Sequence, residues 1–229
     1  AALLVGLMSK QVAWQYSHAV AKINPQEAPS QGFRRYPGMV AGYAWHVART
    51  SPLSTRVLLT CAAIGVAAGI AGGIAGLITP VVLLTVPFLY GLVLGSHVLP
   101  GIIAQEVLRL PLVAILTHVM AALVASAFNP AWAPRFIGTA LLFGLIQEGV
   151  AALTRYRAWG PWRFFISAFI IGVLVAVVVA FVADIAKLPL WAQVVYIVVS
   201  ILGPVIWTAI GLWIGSGLRR SGIGRPATR

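Results

Sequence analysis

The chain has only four acidic residues, Glu27, Glu106, Glu148 and Asp184. Glu148 stands inside an apolar stretch, directly after Leu145-Ile146-Gln147. An ionisable side chain in hydrocarbon costs about 2.5–3.5 kcal/mol on insertion scales, so its default reading is a functional group. A carboxylate there can accept from an amino group, and in its protonated form it can also donate to a ring nitrogen. Its other reading is a structural hydrogen bond near the end of its helix. Gln147 precedes it, and His118 lies in a second apolar stretch beside Thr117. With the aromatics Tyr90, Trp132 and Trp207 these residues form a candidate small-molecule site, although tryptophan and tyrosine also serve as interfacial belts. Glu106 and Arg109 are three residues apart and can pair on one helix face.

Other chemistries are not signalled. His18, His46, His97 and His118 show no close metal-ligand spacing, so no metal site is expected. There is no Gly-x-x-x-x-Gly-Lys phosphate loop, Gly-x-Ser-x-Gly or His-Glu-x-x-His. The expectation is a non-enzyme with no cofactor. Cys61 is the single cysteine, which excludes a disulfide framework.

One apolar segment is rich in small residues. Cys61, Gly65, Gly69 and Gly73 recur every four residues, and Ala68, Gly72 and Gly76 form a neighbouring ridge. Small residues at this spacing let helices approach closely in a membrane. The ridges serve either the chain's own bundle or a separate membrane subunit.

The elements that position these residues are set by composition. Hydrophobic residues make up 60% of the chain and charged residues 9%, and the mean hydropathy is +0.96. Soluble domains carry about 25% charged residues, so this chain needs lipid around it. The apolar runs do not alternate with polar residues, which argues for helices over a barrel. Six spans are predicted, at about residues 57–78, 81–95, 112–128, 136–153, 164–182 and 190–218. Thr79-Pro80 should end the first, and Gly203-Pro204 should kink the last. Residues 96–111 read as a broken, semi-polar connection. Residues 1–56 form a basic, aromatic-rich arm on lipid or on a partner, residues 57–218 the membrane domain, and residues 219–229 a basic tail.

The net charge of +12 does not mark a nucleic-acid binder. Of 16 lysines and arginines, 14 sort to one side of the six spans, and only Arg135 and Lys187 fall on the other. Basic residues collect on the cytoplasmic side of short loops. The fold class read from the sequence is therefore an all-α, multi-pass protein of the cell (plasma or inner) membrane. Its six transmembrane helices form a bundle with cytoplasmic N- and C-termini.

Two stretches carry a resemblance: Gln105-Glu106-Val107-Leu108-Arg109-Leu110-Pro111, and Gly144-Leu145-Ile146-Gln147-Glu148 through Thr154-Arg155-Tyr156-Arg157-Ala158-Trp159. From about residue 57 to 217 the sequence resembles the YkoE-type substrate-binding (S) component of energy-coupling factor transporters. It departs from that pattern at Leu112, at His118, where a glutamate is common, and at Phe143, where a glutamine is common. The resemblance implies a six-helix subunit that captures thiamine or its hydroxymethylpyrimidine precursor outside and releases it inside. It implies a transmembrane coupling subunit and two cytoplasmic ATPases as partners, docked on a small-residue ridge of the first helix. The alternative is a non-transporting structural or assembly subunit of a membrane complex.

Overall fold

The computed structural model describes residues 54–223. Most of the basic arm and the end of the tail lie outside them. Among the described residues every regular element is helical, and five helices are long and apolar enough to cross a membrane. A sixth apolar helix is shorter.

Helix α1, Thr55–Thr85, starts where the Ser54 hydroxyl accepts from the Val57 N–H at 3.4 Å. The stop expected at Thr79-Pro80 is not there, since α1 continues through Pro80 for 31 residues. Proline removes one backbone donor and crowds the carbonyl four residues back. Membrane helices tolerate this when neighbours absorb the loss, and here the residue four back, Gly76, has no side chain to add to the crowding. The real break is at Val86 (φ −141°, ψ 60°), followed by Pro87.

Helix α2, Pro87–Leu108, is one crossing made of pieces. Short 3-10 turns at Pro87–Leu89 and Ser96–Val98 alternate with α-helix at Tyr90–Gly95 and Leu99–Leu108. The expected second span at 81–95 and the loop at 96–111 are thereby replaced. The polar residues that suggested a loop are packed inside the bundle, where every residue from Pro100 to Val107 is buried. Glycines put them there. A Cβ at Gly91 would lie 2.7 Å from the Ser200 nitrogen, and one at Gly95 would lie 2.8 Å from the Gly203 carbonyl carbon. Only bare backbone lets α2 press this closely on α6.

Left-handed residues Arg109 (φ 51°) and Leu112 (φ 65°) turn the chain into α3, Val113–Phe128. Its 16 residues reach only about 24 Å at 1.5 Å per residue. A 3-10 turn, Pro130–Trp132, leads into α4, Ala133–Leu153. Helix α5 is Pro161–Val182, and α6, Leu190–Arg220, is continuous through the buried Gly203-Pro204 pair.

Helix α1 packs on α3, α2 is held between α1, α3 and α6, and α5 lies against α6. With six alternating helices, Ser54 and Arg220 emerge at one end of the bundle. Arg56, Arg109, Arg155, Arg157 and Arg163 share that end, and Arg135, Asp184 and Lys187 are at the other. Large apolar side chains on α1, α5 and α6 face outward, such as Leu84, Phe181 and Leu190. This is the surface of a multi-pass membrane protein.

Candidate functional site

Polar side chains gather in two places, one at each end of the bundle. At the basic end, the first turn of α5 buries Arg163 to 1% exposure. Its guanidinium lies 4.4 Å from the ring centroids of both Trp159 and Phe164. These cation–π contacts partly replace lost water. Arg163 Nη2 donates to Gln105 Oε1 at 3.4 Å, and Gln105 Nε2 donates to the Gln147 carbonyl at 3.5 Å. The Gln147 amide donates to the Val98 carbonyl at 3.1 Å, which leaves its oxygen to accept from His118 Nε2 at 3.0 Å. Gly101 makes room for this pair, because a Cβ there would collide with the Gln147 oxygen and lie 2.7 Å from His118 Nε2.

Glu148 lies at the same end, next to Gln147 on α4. Its Oε1 accepts from the Ala114 N–H at 2.8 Å. Ala114 is in the first turn of α3, whose orphan N–H groups receive no side-chain cap from their own Ncap, Leu112. Glu148 thus caps a helix from across the bundle, with its charge at the favourable end of the α3 dipole. Glu148 Oε2 and Arg163 Nε are buried without partners. In the 154–160 loop, burial first and the Glu148 carboxylate second push the Tyr156 phenol above its ordinary pKa. Glu106 pairs with Arg109 at 3.5 Å, as the spacing suggested, and also with Arg219 at 3.0 Å.

At the opposite end a cleft of about 570 Å³ opens between α4 and α5, with α2 behind it. Tyr90, Arg135 and Thr139 supply its polar groups, and Leu94, Phe143 and Val178 are among its apolar walls. Tyr90 is 4% exposed. Arg135 lies in the first turn of α4 with its guanidinium carbon 4.8 Å from the Trp132 ring centroid. Two smaller cavities, of about 20 and 30 Å³, continue inward past Thr139 and His97 to His118. Each holds about one water-sized probe. The His97 ring stacks on Phe136 at 6.4 Å.

The structure divides the predicted site residues. Tyr90 lines the cleft, Trp132 the adjoining cavity and His118 the innermost one. Gln147 and Glu148 lie beyond His118 and are engaged with the backbones of α2 and α3. Trp207 is outside the cleft lining and donates its indole N–H to the Leu92 carbonyl at 2.9 Å. Sequence reasoning missed Arg135, Thr139 and His97. Arg135 did carry a signal, as one of two basic residues on a face otherwise cleared of them.

The ridges on α1 are also relocated. A Cβ at Gly65 would meet Met120 Cβ at 2.7 Å, one at Gly69 the Ala121 carbonyl at 2.6 Å, and one at Gly73 the Phe128 ring at 2.6 Å. Cys61 is fully buried, and Gly76 faces Phe136. Ala68 lines the innermost cavity, and the position above Gly72 faces His97. Both ridges are spent inside the chain's own bundle, chiefly on α3. The face of α1 that stays exposed carries a third small-residue series, Ala63, Ala67 and Ala71, beside Val66, Ile70 and Ile74.

Among curated proteins, no match to this chain is found. A solved structure titled "Crystal structure of an S-component of ECF transporter" superposes with a TM-score of 0.66 at 18% identity, over 75% of this chain and 88% of that one. The fold implied by the sequence resemblance is thus the fold found, and nothing in the match singles out the YkoE type. A family model described as "ABC-type cobalt transport system, permease component" matches residues 56–174. That is a family of transport components and not of enzymes. On that match, which spans more than half of its length, the chain belongs to the family of ABC-type cobalt transport system permease components.

Proposed function

We propose that this protein is the substrate-binding (S) component of an energy-coupling factor importer in the cell membrane. In this reading it captures a small, vitamin-like organic molecule outside and releases it inside. The observation that carries this reading is the open cleft at the end of the bundle opposite the basic loops. By the distribution of basic residues that end faces outward, where a scavenging subunit must meet its substrate. Thiamine and hydroxymethylpyrimidine are the substrates that the resemblance implies.

The family's description names cobalt. Among the described residues no three His, Cys, Asp or Glu side chains gather where they could hold a metal ion, and His18 and His46 lie outside those residues. The charged group at the cleft is an arginine, which repels a cation. Both points favour an organic cargo. ATP hydrolysis would come from two partner ATPases through a coupling subunit docked on the exposed alanine face of α1.

Two measurements test the proposal. Cysteines placed at Ala158 and Ala131 in a Cys61→Ser background should label from opposite sides with an impermeant reagent, and labelling of the Ala158 site from outside the cell would overturn the orientation. The tagged chain, purified from its native membrane, should bring down a membrane coupling subunit and two phosphate-loop ATPases. Recovery with a membrane complex that contains no ATPase would favour the assembly-subunit alternative.

A further inference from the structure

Resting on the substrate-binding reading above, we infer that the molecule taken by the cleft is an organic anion, with an apolar or aromatic body and one oxyanion head, a carboxylate or a phosphate. Three charged residues are described at this end of the bundle: Arg135, Asp184 and Lys187. Lys187 and Asp184 neutralise each other at 2.7 Å. Arg135 is in no ion pair among the described residues. It also occupies the first turn of α4, where the positive end of the helix dipole disfavours a cation. A cation that opposes the dipole and has no carboxylate partner among the described residues makes this rim favourable to an anion.

The geometry supports the same assignment. The Arg135 guanidinium is steadied over Trp132, and a guanidinium held by its face keeps its planar edge for a bidentate oxyanion. Tyr90, buried in the cleft wall, supplies a phenolic donor on the same side. The opposite wall, from α5, is aliphatic: Leu174, Val175, Val178, Val179 and Val182. Polar groups on one side and hydrocarbon on the other fit a molecule with a single polar end. The cleft volume of about 570 Å³ is within the ordinary range for small-molecule sites. A thiazolium would meet like charge here, and hydroxymethylpyrimidine offers the arginine no counter-charge.

The test is equilibrium dialysis of the full chain in nanodiscs, with empty nanodiscs subtracted. The probes are 1-naphthoate, 1-naphthyl phosphate and the cation 1-naphthylmethylammonium. At least one anion should bind at least tenfold more tightly than the cation. Arg135→Gln should weaken the anion tenfold or more and bring the cation closer to it, whereas Arg135→Lys should retain part of the preference. The ratio of naphthoate to naphthyl phosphate identifies the head group. Because Arg135 is exposed, both variants should fold, and an unchanged melting temperature checks this. Equal binding of cation and anion, or anion binding that ignores Arg135→Gln, overturns the inference. If thiamine or hydroxymethylpyrimidine then binds, the substrate-binding reading survives without it. If no probe and neither of those molecules binds, both fall.

Discussion

The two ends of this bundle use polar side chains in opposite ways. At the basic end, Gln105, Gln147, His118, Glu148 and Arg163 are all buried, and each bonds to another helix. At the other end, Tyr90, Thr139 and Arg135 border open space and face a wall of aliphatic side chains. The first arrangement resolves a structural problem. Helix α3 begins after a left-handed residue with no cap of its own, and α2 is interrupted by 3-10 turns, so backbone groups need side-chain partners from neighbouring helices. The second arrangement sets its polar groups against a cavity, where the proposed ligand would meet them. A buried ionisable residue in a membrane protein can serve the backbone of a neighbouring helix, as Glu148 does for Ala114.

The largest expected effect concerns the two faces of α1, which repeat this contrast between spent and free surface. Gly69→Leu should prevent recovery of a monodisperse protein. Even a methyl at Gly69 would meet the Ala121 carbonyl at 2.6 Å, and overpacking of a close-packed site costs about 1–3 kcal/mol before any larger side chain is added. Ala67→Leu, on the exposed face, should leave the isolated chain folded and reduce co-purification of the coupling subunit. Size-exclusion profiles and partner recovery of the two variants separate the faces. A folded Gly69→Leu protein that only loses its partner would return the docking surface to the glycine ridge.

How far the sequence revealed these features depended on which property each one used. Helix count and class were legible because lipid allows few alternatives, and the spans at 112–128, 164–182 and 190–218 fall close to α3, α5 and α6. The α1–α2 boundary was misplaced because Pro80 reads as a stop in water but is tolerated inside a bundle, and because the polar run through Gln105 and Glu106 looks like a loop. Glycine spacing revealed close packing but not its direction, which depends on which face α3 covers. Glu148 was legible as important. Its partner, a backbone N–H 34 positions away, has no side-chain signature at all. Arg135 was visible only as one of two basic residues kept on a face otherwise cleared of them.

A smaller effect tests the basic end directly. Glu148→Ala leaves the Ala114 N–H buried without an acceptor and should cost about 1–3 kcal/mol of stability. Glu148→Gln keeps an oxygen for that N–H and should cost less. Neither should change the affinity of a cleft ligand by more than about twofold, an energy of about 0.4 kcal/mol. Melting curves in nanodiscs, followed by probe titration, read both quantities. A tenfold loss of affinity in Glu148→Gln at unchanged melting temperature would restore Glu148 to the substrate site and remove the contrast drawn between the two ends.

The smallest effect asks whether Arg135 is alone in attracting an anion. Lys187 is the other cation at that end, but its pairing with Asp184 at 2.7 Å is between side chains that are 78% and 67% exposed. Such a pair contributes about 0–1 kcal/mol to stability and, seen from the cleft, sums to no net charge. Lys187→Gln should therefore leave naphthoate binding nearly unchanged. It unmasks Asp184, whose repulsion is screened over a Debye length of about 10 Å at 0.1 M salt. Asp184→Asn is the complementary change. Asp184 sits in the left-handed region at φ 50°, which asparagine also accepts, so the turn should persist and only the charge is lost. Lys187 is then unopposed and should raise naphthoate affinity by up to about twofold at low salt, with the gain disappearing as salt screens the exposed charge. A loss in Lys187→Gln as large as that in Arg135→Gln would mean that the anion is drawn by the whole rim. The site would then have to be widened from Arg135 to include the α5–α6 turn.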